Sequence, residues 1–259
     1  MPIWQAASGI FFVYVGAVAA VLPGVDRSKR RLALAGSAVG LLLAAGAFLA
    51  PARLLNDWLI PPACLLIGYW TSGLLFVSPM PRAERVLLGF DRALRIRQIA
   101  AATPRAAAEF LEIAYAAVYV VIPIALVVCL LAVPGVPADR FWAVILTTDY
   151  ICFGMLPWVQ TRPPRALEPE TPWRNAIGVR EFNLRMLGRT SIQVNTFPSG
   201  HAAEALAAAL LVTGAGIPIT VVMLFTALSI SAGAVLGRYH YAADALAGWV
   251  VALIVWLLL

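Results

Sequence analysis

Only two histidines occur in this chain of 259 residues, and both stand in settings that could do chemistry. His201 ends the run Phe197, Pro198, Ser199, Gly200, while His240 follows Gly237, Arg238 and Tyr239 and precedes Asp244 by four residues. Such a pair suits phosphoryl transfer. One imidazole can attack phosphorus and carry the phosphoryl group, while the other protonates the departing alkoxide and then activates the acceptor. His240 takes the nucleophile's part, because an aspartate one helical turn on can hold one ring nitrogen and leave the other free. The same arrangement orients the base in hydrolase triads. His201 is then the acid. Ser199 can cap the helix that starts at this turn, and the N–H groups at Ser199 and Gly200 can hold phosphate oxygens. Arg162, in the loop before them, offers a planar guanidinium fork that matches phosphate, with Arg165 and Arg189 as further candidates.

What brings residues 201 and 240 to one face is the chain between them. Two apolar runs, 202–216 and 218–236, read as helices passing into a membrane and back. The whole sequence has that character: 62% of residues are hydrophobic, 12% are charged and the mean hydropathy is +0.87. The expected fold is an all-α, polytopic membrane helical bundle of about eight transmembrane helices, over 3–22, 32–50, 58–77, 110–132, 141–158, 202–216, 218–236 and 241–259. Residues 1–53 form two peripheral N-terminal helices and 54–259 a six-helix catalytic core. Within that core, segment 78–109 interleaves arginines with apolar residues and is expected to lie among the headgroups. The catalytic loop covers 160–200. The sixth run is only about 22 Å long, which sets His201 below the membrane surface. Asp149 falls near the middle of the fifth span and Glu204 one turn beyond His201. Each reads equally as a functional acid or as a hydrogen bond within the bundle. Glu112, Tyr115 and Tyr119 share one face of the fourth span.

Cys64, Cys129 and Cys152 each lie alone in an apolar run, which suggests neither disulfides nor a zinc site. Neither a metal nor any other cofactor is expected. The net charge of +6 points to anionic headgroups rather than nucleic acid. The expected partners are a lipid substrate and the bilayer, and the oligomeric state is not indicated.

Phe197 to His201, together with Arg238 to Asp244, resemble the second and third signature motifs of the type 2 phosphatidic acid phosphatases, a superfamily of membrane lipid phosphatases and sphingolipid phosphotransferases. Arg162-Pro163 resembles the end of the first motif. In the phosphatase branch a lysine precedes that arginine by seven residues and an arginine precedes the third-motif histidine by six. Here those positions are Met155 and Ala234, and Arg238, two residues before His240, is the only nearby substitute for the missing arginine, which implies that it binds phosphate with Arg162. Both departures are similar to the branch that holds sphingomyelin and inositol phosphorylceramide synthases.

The resemblance implies a metal-independent enzyme acting on lipid phosphates: a phosphatase working through a phosphohistidine, or a phosphotransferase moving a headgroup to an alcohol. A lipid transporter or binding protein is the alternative of another class. The superfamily also implies a multi-pass protein of the inner (cytoplasmic) membrane with its site on the outer face. The charge pattern argues otherwise, since all basic residues but Arg53 and Arg140 fall on the side of the catalytic loop, which the positive-inside rule makes cytoplasmic.

Overall fold

The computed structural model describes residues 2–49, 54–168 and 177–259. Arg53, the expected end of the second span at Ala50, and loop residues 169–176 lie outside the described residues. The protein is an all-α membrane bundle, and among the described residues the only strand-like pairing is a single bridge between Thr161 and Asn195.

Helices α1 (Ile3–Val21) and α2 (Arg27–Leu49) form a hairpin that turns at Gly24, whose φ of +80° suits glycine. A π-helical turn, Leu55–Leu59, leads into α3 (Ile60–Gly73), with Pro61 in the first turn where a missing N–H matters least. Next come α4 (Pro81–Ala93) and α5 (Ile96–Ala102), separated at Arg95 in a left-handed conformation. Leu87, Ile96 and Ala100 are buried on their inner side while Arg85, Arg92 and Arg97 are exposed, the pattern of a helix pair lying along an interface.

The span expected over 110–132 is not one straight helix. It is α6 (Arg105–Ala116) and α7 (Val118–Ala132), bent by 61°. At the bend the Ala117 N–H is shared between the Ile113 and Ala114 carbonyls, a tightened turn. Pro123 follows, unable to donate to the turn before it. The bend lets both Tyr115 and Tyr119 reach His201.

Helix α8 (Ala138–Gly154) is apolar and buried around most of its circumference, so it is the central post. Phe11 of α1 stacks on its Tyr150 at 4.0 Å. The chain continues through α9 (Pro164–Leu167), α10 (Ile177–Thr190), α11 (Gly200–Leu211), α12 (Ile217–Leu236) and α13 (Ala242–Leu258). By length and apolarity α1, α2 and α12 can each cross a bilayer, and α6 with α7 make a fourth span if the bent pair counts as one. Helices α11 and α13 are shorter, so helix length does not establish the expected eight crossings.

Small residues bring the site helices together. Gly248 of α13 lies so close to α11 that a Cβ there would stand 2.5 Å from the Ser199 carbonyl oxygen. Gly233 of α12 likewise abuts the Leu111 carbonyl of α6. Ala203, Ala207 and Ala208 of α11 are completely buried. This is how membrane helices approach when no hydrophobic force separates them from lipid.

Candidate active site

His240 sits in the short loop between α12 and α13, and the loop is tied down atom by atom. The Ala234 carbonyl accepts both the Tyr239 N–H at 2.9 Å and the His240 N–H at 3.0 Å. The Tyr241 hydroxyl donates to the Arg162 carbonyl at 2.8 Å, and the Arg165 N–H donates to the Arg238 carbonyl at 3.0 Å. Asp244 caps α13 by accepting the Tyr241 N–H at 2.9 Å through Oδ2. That same oxygen stands 3.4 Å from His240 Nδ1, which has no other partner. The pairing leaves Nε2 as the nitrogen directed away from the carboxylate. Burial first, and then the Arg165 guanidinium, push the His240 imidazole down to about 3, so the ring is neutral and its lone pair available near neutral pH.

His201 lies in the first turn of α11, which Ser199 caps by accepting the Ala202 N–H at 3.4 Å. Its ring stacks on Tyr115 at 5.5 Å and meets the edge of Tyr119 at 6.0 Å. Nε2 is buried and has no hydrogen-bond partner among the described residues. The two imidazoles are 5.9 Å apart, centroid to centroid. The Ser199 N–H donates to the Asp244 carbonyl at 3.0 Å, stitching one histidine motif directly to the other. That N–H is therefore spent, which corrects its expected role as a phosphate donor; Gly200 remains at the open start of the helix.

The arginines are placed differently from expectation. Arg162 forms a forked pair with Glu84 of α4, Nε to Oε1 at 3.0 Å and Nη2 to Oε2 at 2.9 Å, and its side chain is 45% exposed. The Arg162 bonds hold the Glu84 carboxyl below its usual range. Arg238 faces away from His240: its backbone is left-handed, φ 62°, and its guanidinium is buried against Asp91 and, at 2.8 Å, Glu168. It lines a separate polar cavity with Arg92 and Gln98. Neither arginine borders the space between the histidines, because carboxylates on α4 and α9's flank hold them elsewhere. Arg189 is exposed and borders that space no more than they do. Arg165 does border it, with its guanidinium 5.3 Å from the Tyr239 ring centroid.

Two cavities meet at His201. The small polar one is bounded by Arg165, His201, Tyr239, His240, Ser191 and Thr196. The other, about 330 Å³, is walled by Trp58, Leu66, Trp70 and Trp142 and has Asp149, Gly200, His201 and Glu204 at its inner end. Tyr69 and Phe153 border both. Among the described residues no group of three or more His, Cys, Asp or Glu side chains could hold a metal ion.

The profile of the PAP2 superfamily matches residues 80–258, well over half of the chain. The chain belongs to the PAP2 superfamily. No curated protein and no solved structure matches it. In this family member Met155 ends α8, and Ala234 is buried among Tyr115, Leu187 and Tyr239. An arginine at 234 would have to displace that packing.

Asp91 and Arg180 were not legible as supporting residues in the sequence, and Glu112 was legible only as an acid on the face it shares with Tyr115 and Tyr119. Asp91 accepts the Ala242 N–H at 2.9 Å as well as pairing with Arg238. Glu112 accepts the Tyr239 hydroxyl at 2.6 Å and pairs with Arg180 at 2.6 Å, and Arg180 also donates to the Gly237 carbonyl. Asp91 and Glu112 offered one signal each, an acid on a helix whose other residues are mostly basic or apolar, and Arg180 offered none.

Proposed function

We propose that the protein is an integral-membrane lipid phosphatase that hydrolyses a lipid phosphomonoester or pyrophosphate through a phosphohistidine at His240. The observation that supports this best is the meeting of two unlike cavities at a pair of imidazoles 5.9 Å apart. The polar cavity takes the phosphate beside Arg165, and the apolar one takes the lipid chain. His240 Nε2 attacks phosphorus as the P–O bond to the lipid breaks, and protonated His201 gives its proton to the departing alkoxide. His201, now neutral, takes a proton from water, whose oxygen attacks phosphorus, breaks the P–N bond and releases inorganic phosphate. Asp244 stabilises His240 in the required tautomer throughout.

Purified protein given a short-chain lipid phosphate should release phosphate, and His240→Ala should not. Binding or flux of lipid that survives this substitution, without any release, would favour a transporter or binding protein.

A second reading replaces water by an alcohol acceptor, which makes the protein a lipid phosphotransferase. Met155 and Ala234 favour it, because the phosphatase branch carries a lysine and an arginine there. A screen of lipid phosphates and diesters with and without an alcohol separates the two, by whether the phosphoryl group appears on phosphate or on the alcohol.

We place the site on the outer face of the inner membrane. Cys64, Cys129 and Cys152 are all buried, so an Arg185→Cys variant offers one accessible thiol on exposed α10. Labelling of intact cells by a membrane-impermeant reagent is expected. Labelling only after the cells are broken open would favour the charge count instead.

A further inference from the structure

The large cavity is apolar along most of its wall, but its inner end is not. Asp149 of α8 and Glu204 of α11 border it there with their carboxyls side by side, and among the described residues no lysine or arginine lines the same cavity. Asp149 is completely buried, and among the described residues its oxygens have no hydrogen-bond partner but the Glu204 carboxyl beside them, itself an acid, so the pair is left short of donors. Buried polar atoms are nearly always partnered, and leaving them unpaired is costly. Oxygens that face a cavity in this state mark a place where a hydrogen-bond donor from outside the chain fits.

That place adjoins the reacting centre. A Cβ built on Gly200 would stand 3.2 Å from Asp149 Oδ1, and Glu204 lies one turn from His201 on the same helix. If His201 protonates the leaving oxygen, the lipid's first carbons must pass the two carboxyls as the chain enters the apolar cavity.

We propose that Asp149 and Glu204 form a specificity site that reads a hydroxyl or amino group carried by the lipid one or two carbons from its phosphoester oxygen. The inference rests on the assignment of His201 as the acid. A donor at that position satisfies the Asp149 oxygens, while a lipid without one leaves the two acids with only each other on binding. Sites built around a polar partner reject the analogue that lacks it more strongly than apolar pockets reject a missing methylene. Glu204 and Asp149 thus bind substrate without taking part in the bond changes at phosphorus.

The test uses three probes of one chain length, 2-hydroxydodecyl phosphate, 2-aminododecyl phosphate and dodecyl phosphate, with full-length protein in nanodiscs. A donor-bearing probe should exceed dodecyl phosphate in kcat/KM by about 10- to 100-fold, chiefly through KM. Which of the two donor probes leads identifies the group that is read. Asp149→Asn and Glu204→Gln, each close in volume to the native side chain, should each reduce that preference to about threefold or less. Equal rates on all three probes in the wild type would overturn the proposal. So would variants that slow every probe by one common factor, the mark of a merely structural pair. If no probe turns over, thermal stabilisation by the three matching phosphonates is read in the same way, and equal shifts overturn it. Turnover that persists in His240→Ala would instead bring down the phosphohistidine reading, a result distinct from any change in preference among probes.

Discussion

The surroundings of the two histidines differ in kind. His240 stands on a loop with no helical ladder of its own, and polar groups from α4, α6, α10 and the Arg162–Arg165 segment hold it. His201 stands on a capped helix and needs little more than Ser199 beneath it and aromatic rings beside it. A helix places its side chains by backbone geometry alone, whereas a loop must have each backbone polar group satisfied from outside. His240, the proposed nucleophile, therefore depends on distant charged residues, and His201, the proposed acid, does not.

That contrast can be broken by substitution. His240→Ala is expected to abolish turnover of every ester, a loss of at least about 10⁴-fold, since no other group can carry the phosphoryl. His201→Ala should be comparably damaging for alkyl phosphates but much milder, within about 10²-fold, for an aryl phosphate whose leaving group needs no proton. Equal losses on both ester types in steady-state assays would mean that the acid role is wrongly assigned. Asp244→Asn should lower kcat by about 10² to 10⁴-fold while the protein stays folded, because an amide can keep the cap on Tyr241 but favours the wrong imidazole tautomer. Retained activity there would sink the dyad.

The arginines sharpen the comparison. Arg165→Gln should cost about 10- to 100-fold in kcat/KM, while Arg162→Gln, which releases a half-exposed pair with Glu84, should cost no more than about threefold. The reverse order would mean that Arg162 leaves Glu84 to bind phosphate. Asp91→Asn tests the loop's dependence on α4: it leaves buried Arg238 with Glu168 alone, and the melting temperature should fall clearly, since breaking a buried pair costs about 3–5 kcal/mol.

The smallest effect concerns pH. His240 lies near 3 in the fold against about 6.5 in an unfolded chain, so between those values the unfolded chain binds more protons. Its contribution to stability is complete above about pH 6.5 and is lost as pH falls toward 3. Melting temperatures should decline over that window, and less steeply in His240→Gln. A slope unchanged by the substitution would mean that His240 is not held neutral by its surroundings.

Much of this was legible in the residues. The two histidine motifs and the capping serine are local patterns: Ser199 caps α11, and Asp244 stands 3.4 Å from His240 although His240 precedes the helix. The bend at Ala117 was not legible, because apolar composition is blind to where a membrane helix breaks and Pro123 lies beyond the break. The partners of the arginines were not legible for a related reason. A guanidinium's class of ligand follows from its chemistry, but its actual partner depends on which acids the fold brings near.

The membrane-embedded helical class and the two histidine motifs follow from local sequence, since hydropathy, helical period and capping act over a few residues. Only the tertiary structure decided which arginine reaches the histidines, that the Ser199 N–H is given to Asp244, and that Asp149 meets Glu204 at the end of an apolar cavity. Those outcomes depend on contacts between residues tens to more than a hundred positions apart. They are set by close helix approach at Gly233 and Gly248, where a single added carbon would push the backbones apart.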